Sequence, residues 1–348
     1  MPPATRRRRP LVTAVMAARD AERYVASALA SLSAQTMGDL EVVVVDDGST
    51  DGTSRVVRRA ARADPRIRLL RLDRNRGQAA ALNVGMDAAR GRYLAILDAD
   101  DEAAPGRLAH QLRAFERDPG LVLVGGAAET WCDRHAVPGR VWRYATDDAA
   151  IRARTLFKSE FISGAMTLDR ERVARRRLRF DETLRLGADW AMSVAAMRVG
   201  RVANVAPVVL RYRVHPGQIT AGMTDDLGSD STRIRAAALA WAGARPTGAD
   251  LRTHLAISPC NYWPFGSHPY FRARRASIRA EADRWLRKLT AACARAGRIP
   301  PEALRAYVEE IASRVARCLE APEGDEARAP ASCPVAAPRA CIAAAPCR

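Results

Sequence analysis

Tyr93-Leu94-Ala95-Ile96-Leu97-Asp98-Ala99-Asp100-Asp101-Glu102 decides the fold of this 348-residue chain. Leu94 to Leu97 form a continuous apolar run of the length expected for a strand buried on both faces, and the run ends abruptly in acid. Asp98, Asp100, Asp101 and Glu102 therefore fall at the carboxyl end of a parallel strand, the edge of an open α/β sheet where ligands bind. Two carboxylates one residue apart repel each other, and a divalent cation between them relieves that repulsion. Alone, the pattern fits a solvated acidic turn equally well. A second acidic strand end, Asp46-Asp47 after Leu40 to Val45, favours the site over the turn.

Working outward, strands are expected at Leu11–Met16, Leu40–Val45, Arg66–Leu72, Leu94–Leu97 and Leu121–Val124, the last closed by Gly125-Gly126. Helices are expected at 21–35, from Thr53 to about Ala63, at 78–89 and from Pro105 to about Arg117. That alternation predicts a doubly wound parallel sheet. Beyond about residue 130, short strands at 165–168, 202–205 and 208–214 around a helix at 189–199 predict an antiparallel extension. From Ser231 the pattern is helical, clearest at 301–319, where Leu304, Val308, Ile311, Val315 and Leu319 make one apolar stripe. The Ala/Pro-rich residues from 321 to 348 are expected to be disordered.

The charge balance, 56 basic against 39 acidic residues for a net +17, fits nucleic acid, an anionic membrane surface or acidic substrates. The arginines are dispersed over many helix faces, and no nucleic acid partner is expected. Seven cysteines without a CxxC pair fit a reduced, cytoplasmic protein. No segment has the apolar length to cross a bilayer. Asn261-Tyr262-Trp263-Pro264-Phe265 with Arg272, Arg274 and Arg275 suits either a peripheral membrane contact or core packing, and core packing is preferred.

Val43 to Thr53, Asn75-Arg76-Gly77, Asn83-Val84-Gly85, Leu97 to Asp101 and Pro105 to Leu108, in this order, resemble the family 2 glycosyltransferases of GT-A fold. A weaker likeness continues through Phe180-Asp181-Glu182 and Gly187-Ala188-Asp189-Trp190 to Tyr212 to Gly217. The resemblance implies an inverting transfer of a sugar from a nucleotide diphosphate sugar to a glycan or lipid-linked acceptor, assisted by Mg²⁺ or Mn²⁺. It implies Asp189 as general base, Asp100 as metal ligand with Asp98 reaching ribose or metal, and His215 completing the metal or diphosphate site. Ala17, Arg19, Asp46, Asp47, Asn75, Gly77, Asn83, Asp98, Ala99 and Arg213 are the positions implied to line the nucleotide sugar. Two departures stand out: Ala188 replaces the family's common Glu, and Ala17-Ala18-Arg19-Asp20 replaces a Pro-x-Tyr-Asn, leaving the planar Arg19 to stack on a base.

The domain boundaries expected are a basic arm at 1–9, a glycosyltransferase domain at 10–225 divided near 126 into nucleotide and acceptor halves, and a helical region at 226–320. A nucleotidyltransferase or a dehydrogenase would need glycines after the first strand, where Ala17-Ala18-Arg19 stands. An Arg-rich nucleic-acid binder accounts for the charge but not for acids at two strand ends. A family member impaired in catalysis stays open through the Ala17 and Ala188 departures.

Overall fold

The structure is a computed structural model that describes residues 9–132, 139–218, 227–259 and 268–320. Most of the N-terminal arm, the 261–265 aromatic cluster and the 321–348 tail lie outside the described residues. The strands are β1 (Val12–Ala18), β2 (Leu40–Asp46), β3 (Ile67–Arg71), β4 (Tyr93–Ile96), β5 (Glu102–Ala103), β6 (Leu121–Trp131), β7 (Val141–Trp142), β8 (Thr167–Asp169) and β9 (Arg201–Arg213). The chain divides into two compact units, residues 1–130 with 161–213, and residues 131–160 with 214–348.

The first unit is built on a sheet ordered β3-β2-β1-β4-β8-β6-β9-β5. Its β3, β2, β1 and β4 are mutually parallel. The side chains of β1, β2 and β4 are almost all buried, which is why these strands read as unbroken apolar runs. The helix Gln78–Ala88 covers one face with small residues; Val43, Val45 and Ala81 form a core there that takes in Leu70, Leu72 and Val84. Small side chains bring the helix backbone close to the sheet, so each methyl there contributes dense packing.

The fifth expected strand departs from the reading. β6 does not stop at Gly125-Gly126 but runs through them to Trp131, and β8 lies antiparallel between it and β4. These glycines answer a close approach, not a turn. A Cβ on Gly125 would run into Asn204 Oδ1, and one on Gly126 would lie 2.7 Å from a Val209 methyl. Likewise the two strands expected at 202–205 and 208–214 are a single strand, β9, which continues through an exposed Pro207. The parallel part is therefore confined to four neighbours, and the remainder forms the antiparallel extension.

The second unit is mainly helical, with helices at Asp148–Thr155, Leu227–Trp241, Gly248–Ile257, Pro269–Ala273, Ile278–Ala296 and Pro301–Glu320. The last packs against Asp148–Thr155 and Ile278–Ala296. Its buried stripe is Leu304, Tyr307, Ile311, Val315 and Cys318, so Val308 and Leu319 of the expected stripe lie at the margin. At the centre His254 is fully buried, its ring 4.5 Å from that of Phe157. Its Nδ1 accepts from Trp285 Nε1 at 3.1 Å and its Nε2 faces the Leu156 carbonyl at 2.9 Å. That pairing requires the neutral tautomer protonated on Nε2, in accord with burial pushing this imidazole down to about 3. His254→Ala leaves a cavity and two buried polar groups without partners, so a loss of at least about 3 kcal/mol is expected in urea unfolding of the full chain.

Candidate functional site

β1 separates β2 from β4 in the parallel register: Ala18 is level with Asp46, and Val15 with Ile96. Both acidic strand ends therefore reach the same sheet edge, two strand spacings or roughly 10 Å apart. The antiparallel half of the sheet delivers a small-residue turn to that edge. β8 runs against β4 with Thr167 beside Ala95, so the turn Ser163–Ala165 that precedes β8 falls beside the carboxyl end of β4.

Asp98 is half-buried, and its Oδ1 accepts from Gln78 Nε2 at 2.8 Å and from Ser163 Oγ at 3.4 Å. Burial, reinforced by the charges of Asp100 and Asp189, pushes its carboxyl up to about 7. Asp101 is buried; its Oδ1 accepts the Arg213 backbone N–H at 2.8 Å, while its Oδ2 has no hydrogen-bond partner. Burial and then the charges of Asp100 and Asp98 hold it well above the usual carboxylate range. Asp189 opens the helix Ala188–Met197 and accepts from the Trp190 N–H at 2.8 Å. Burial raises its carboxyl, against hydrogen bonds from the backbone of Trp190 and Ser163. Ser163 thus touches both Asp98 and Asp189, through its side chain and its backbone respectively.

Two arginines hold this acidic loop from inside the unit. Arg107 is fully buried and donates from Nη2 to the carbonyls of Ile96 (2.6 Å) and Met166 (3.2 Å) and from Nε to Gln111 (3.2 Å). Burial draws its guanidinium down to about 10 while Asp98 and Asp101 pull it back up, so it is cationic at neutral pH. Arg213, expected to meet phosphate, is instead buried among protein partners. Its Nε donates to the Asp100 carbonyl at 2.8 Å, its Nη2 reaches Ser27 Oγ at 2.9 Å and Glu102 at 3.3 Å, and its guanidinium lies 5.2 Å from the centre of the Tyr24 ring.

The other expected site residues sort into two groups. Asp46 is fully buried: its Oδ1 accepts from the Ser49 N–H at 2.9 Å and its Oδ2 from Ser54. Burial raises its carboxyl, but the bonds from Ser49 and Ser54 and the charge of Arg71 outweigh this and leave it below the ordinary range. Asp47 accepts the backbone N–H groups of Arg76 (2.7 Å) and Gly77 (2.9 Å), and Asn75 Oδ1 accepts Gly77 N–H as well. Asn83 spends its amide on Phe180 and Glu182. These residues shape loops. Arg19 is exposed beside Asp20, Ala17 is half-buried, Asp100 is half-buried at the centre of the acidic loop, and Ala99 is buried. His215 belongs to the second unit, where its backbone N–H donates to Gln218.

Gln78, Ser163, Gly164 and Arg107 escaped the reading of the chain. Arg107 sits within a quoted motif, Pro105 to Leu108; Ser163-Gly164 carries no signal beyond its small residues.

Among the described residues no three His, Cys, Asp or Glu side chains form a ready-made metal cage. A hard cation bound through one or two carboxylates and completed by substrate phosphates needs none. The unpartnered Oδ2 of Asp101, with a like-charged neighbour and a buried arginine behind it, fits such an ion. A carboxyl whose pKa is higher folded than unfolded binds its proton in the folded state over the window between, so stability falls as pH rises from about 4 through 7. With chelator present, Asp98→Asn is accordingly expected to melt higher than the natural chain at pH 8, the difference shrinking toward pH 4.5; thermal melts across this range check it.

Residues 13–178 match the family model described as Glycosyl transferase family 2. Succinoglycan biosynthesis protein ExoO of Rhizobium meliloti is 36% identical over 225 residues, which cover 61% of this chain and 63% of that protein. The putative teichuronic acid biosynthesis glycosyltransferase TuaG of Bacillus subtilis is 36% identical over 118 residues, covering 34% of this chain and 47% of its own length. The chain thus spans under two thirds of either relative. In fold it is similar to S. aureus TarS 1-349 in complex with UDP-GlcNAc, with a TM-score of 0.56 at 17% identity and 91% of both chains covered. By the match over 13–178, a little under half of the chain, by these relatives and by the architecture of its sheet, this chain is similar to the family 2 glycosyltransferases and shares the GT-A fold.

Proposed function

We propose that the chain transfers a sugar from a nucleotide diphosphate sugar to a glycan or lipid-linked acceptor in the making of a polysaccharide, with inversion at the anomeric carbon. The observation that carries this reading is the convergence of Asp98 and Asp189 on Ser163. It sets an acid of the donor-side strand end and an acid at the start of the helix Ala188–Met197 around one turn. Single displacement needs a group on each side of the sugar: one side meets the departing diphosphate, the other takes a proton.

Asp189 is the base. Burial raises its pKa above that of a solvated carboxylate, which makes it a stronger proton acceptor. Its bonds from Trp190 and Ser163 fix the carboxylate while it takes the proton of the acceptor hydroxyl. The acceptor oxygen then bonds to the anomeric carbon as the bond to the diphosphate oxygen breaks, and the nucleoside diphosphate leaves with that electron pair. Asp100 and Asp98 would hold Mg²⁺ or Mn²⁺, with Asp101 Oδ2 facing the same space as Asp98 Oδ2, and the ion would offset the negative charge growing on the diphosphate. Gln78 orients Asp98, and Arg213 holds the loop carrying Asp100. The loops built by Asp46, Asp47 and Asn75 supply backbone groups for the nucleotide, and the exposed Arg19 is the planar cation available to its base.

Incubation with a panel of nucleotide diphosphate sugars and Mn²⁺ is expected to release nucleoside diphosphate. Asp189→Asn and Asp100→Ala are each expected to lower that rate about 100-fold or more in folded protein. Release that Asp189→Asn leaves unchanged would remove Asp189 as the base, and donor binding without release would favour a catalytically impaired family member.

A further inference from the structure

We propose that Gly164 is a positioning residue: its missing side chain keeps open a space between the carboxylates of Asp98 and Asp101, and a divalent cation is seated against the inner wall of that space. The inference rests on the sugar-transfer reading for its purpose, though not for its geometry. A Cβ on Gly164 would lie 3.2 Å from Asp98 Oδ2, 3.2 Å from Asp101 Oδ2 and 3.3 Å from Leu210 Cδ1. Two carboxylate oxygens from different positions of the acidic loop therefore face one point. Gly164 does not have a positive φ, so the position demands room and not a special backbone conformation.

Neither acid is free to retreat from a side chain placed there. Asp98 is tied through its other oxygen to Gln78 at 2.8 Å and to Ser163 at 3.4 Å. Asp101 is tied through its other oxygen to the Arg213 N–H at 2.8 Å. Asp101 is 1% exposed and its Oδ2 makes no hydrogen bond, an expensive arrangement for a group that ionises. Arg107 moderates the cost by its charge, since it interacts with both acids, but its hydrogen bonds go to carbonyls and Gln111. A cation with oxygen ligands at about 2.1 Å would give Asp101 Oδ2 its missing partner. Because Ser163 also donates to Asp189, the same turn fixes the base relative to the cation's seat.

The test measures binding of Mn²⁺ alone, with no donor present, to the full chain, from the free-Mn²⁺ electron paramagnetic resonance signal. Gly164→Ala is expected to melt within a few degrees of the natural chain and to bind Mn²⁺ at least tenfold more weakly. Adding Leu210→Ala, which clears the apolar neighbour only, is expected not to restore binding. Wild-type affinity in Gly164→Ala, or recovery through Leu210→Ala, overturns the inference in favour of plain packing. Should Gly164→Ala fail to fold, Asp101→Asn gives the second measurement: at least tenfold weaker Mn²⁺ with an unchanged or higher melting temperature is expected, and unaltered binding overturns it. A natural chain that binds Mn²⁺ without ever releasing nucleoside diphosphate removes the transfer reading and leaves the seat standing. Active protein with unaltered Mn²⁺ binding in the variants does the reverse, and a natural chain that binds no Mn²⁺ removes the seat.

Discussion

Everything at the working edge of this protein depends on keeping like-charged carboxylates together at one strand end. Asp98, Asp100 and Asp101 follow β4 within five residues, and Asp189 adds to the field that Asp98 feels. Burial opposes ionisation of Asp98 and Asp101, and so do the neighbouring acids. Opposing them are Arg107, which interacts with Asp98 and Asp101 from beneath, and Arg213, which grips the loop through the Asp100 carbonyl and the Asp101 carboxylate. The arrangement is poised: Arg107 and Arg213 compensate Asp98 and Asp101 only in part, and both carboxyls stay raised.

Topology explains how residues so distant in sequence meet there. Parallel strands put their carboxyl ends at one edge, which accounts for Asp46 and Asp98. An antiparallel neighbour presents its amino end at that same edge, so inserting β8 beside β4 delivers Ser163 and Gly164. β9 then pairs Arg211 with Glu102 of the short β5, and Arg213 closes the acidic loop. The switch from parallel to antiparallel pairing therefore populates the site with helpers that a purely parallel sheet would send to the far edge.

Much of the parallel half was legible in the chain. Val42 to Val45, buried on both faces, could hardly be anything but a central strand, and the apolar run ending in Asp98 announced both the sheet edge and the acids. Legibility ended where contacts became non-local or where a residue type had two uses. Gly125-Gly126 looked like a stop, and only the proximity of Asn204 and Val209 reveals them as spacers inside a strand. Asp46 and Asp47 are read from their place after a strand, which does not reveal that their oxygens also accept bonds from the loops they fold. Arg213 had the same ambiguity, since a guanidinium suits a phosphate and a carbonyl equally. Ser163 stands 65 residues from the acid it contacts, and no local pattern encodes such a partnership.

The division into units carries a consequence for how the chain is made. Residues 131–160 belong with 214–348, and 161–213 return to the first unit. During synthesis the first unit lacks β8, β9 and the helix of Asp189 until residue 213 has left the ribosome. By then the 131–160 segment has emerged with Phe157 exposed, and its later partners His254 and Tyr307 are still untranslated. A piece of the second unit is therefore made before the first unit is complete, and Phe157 meets its ring partners only once residues 254 and 307 have followed.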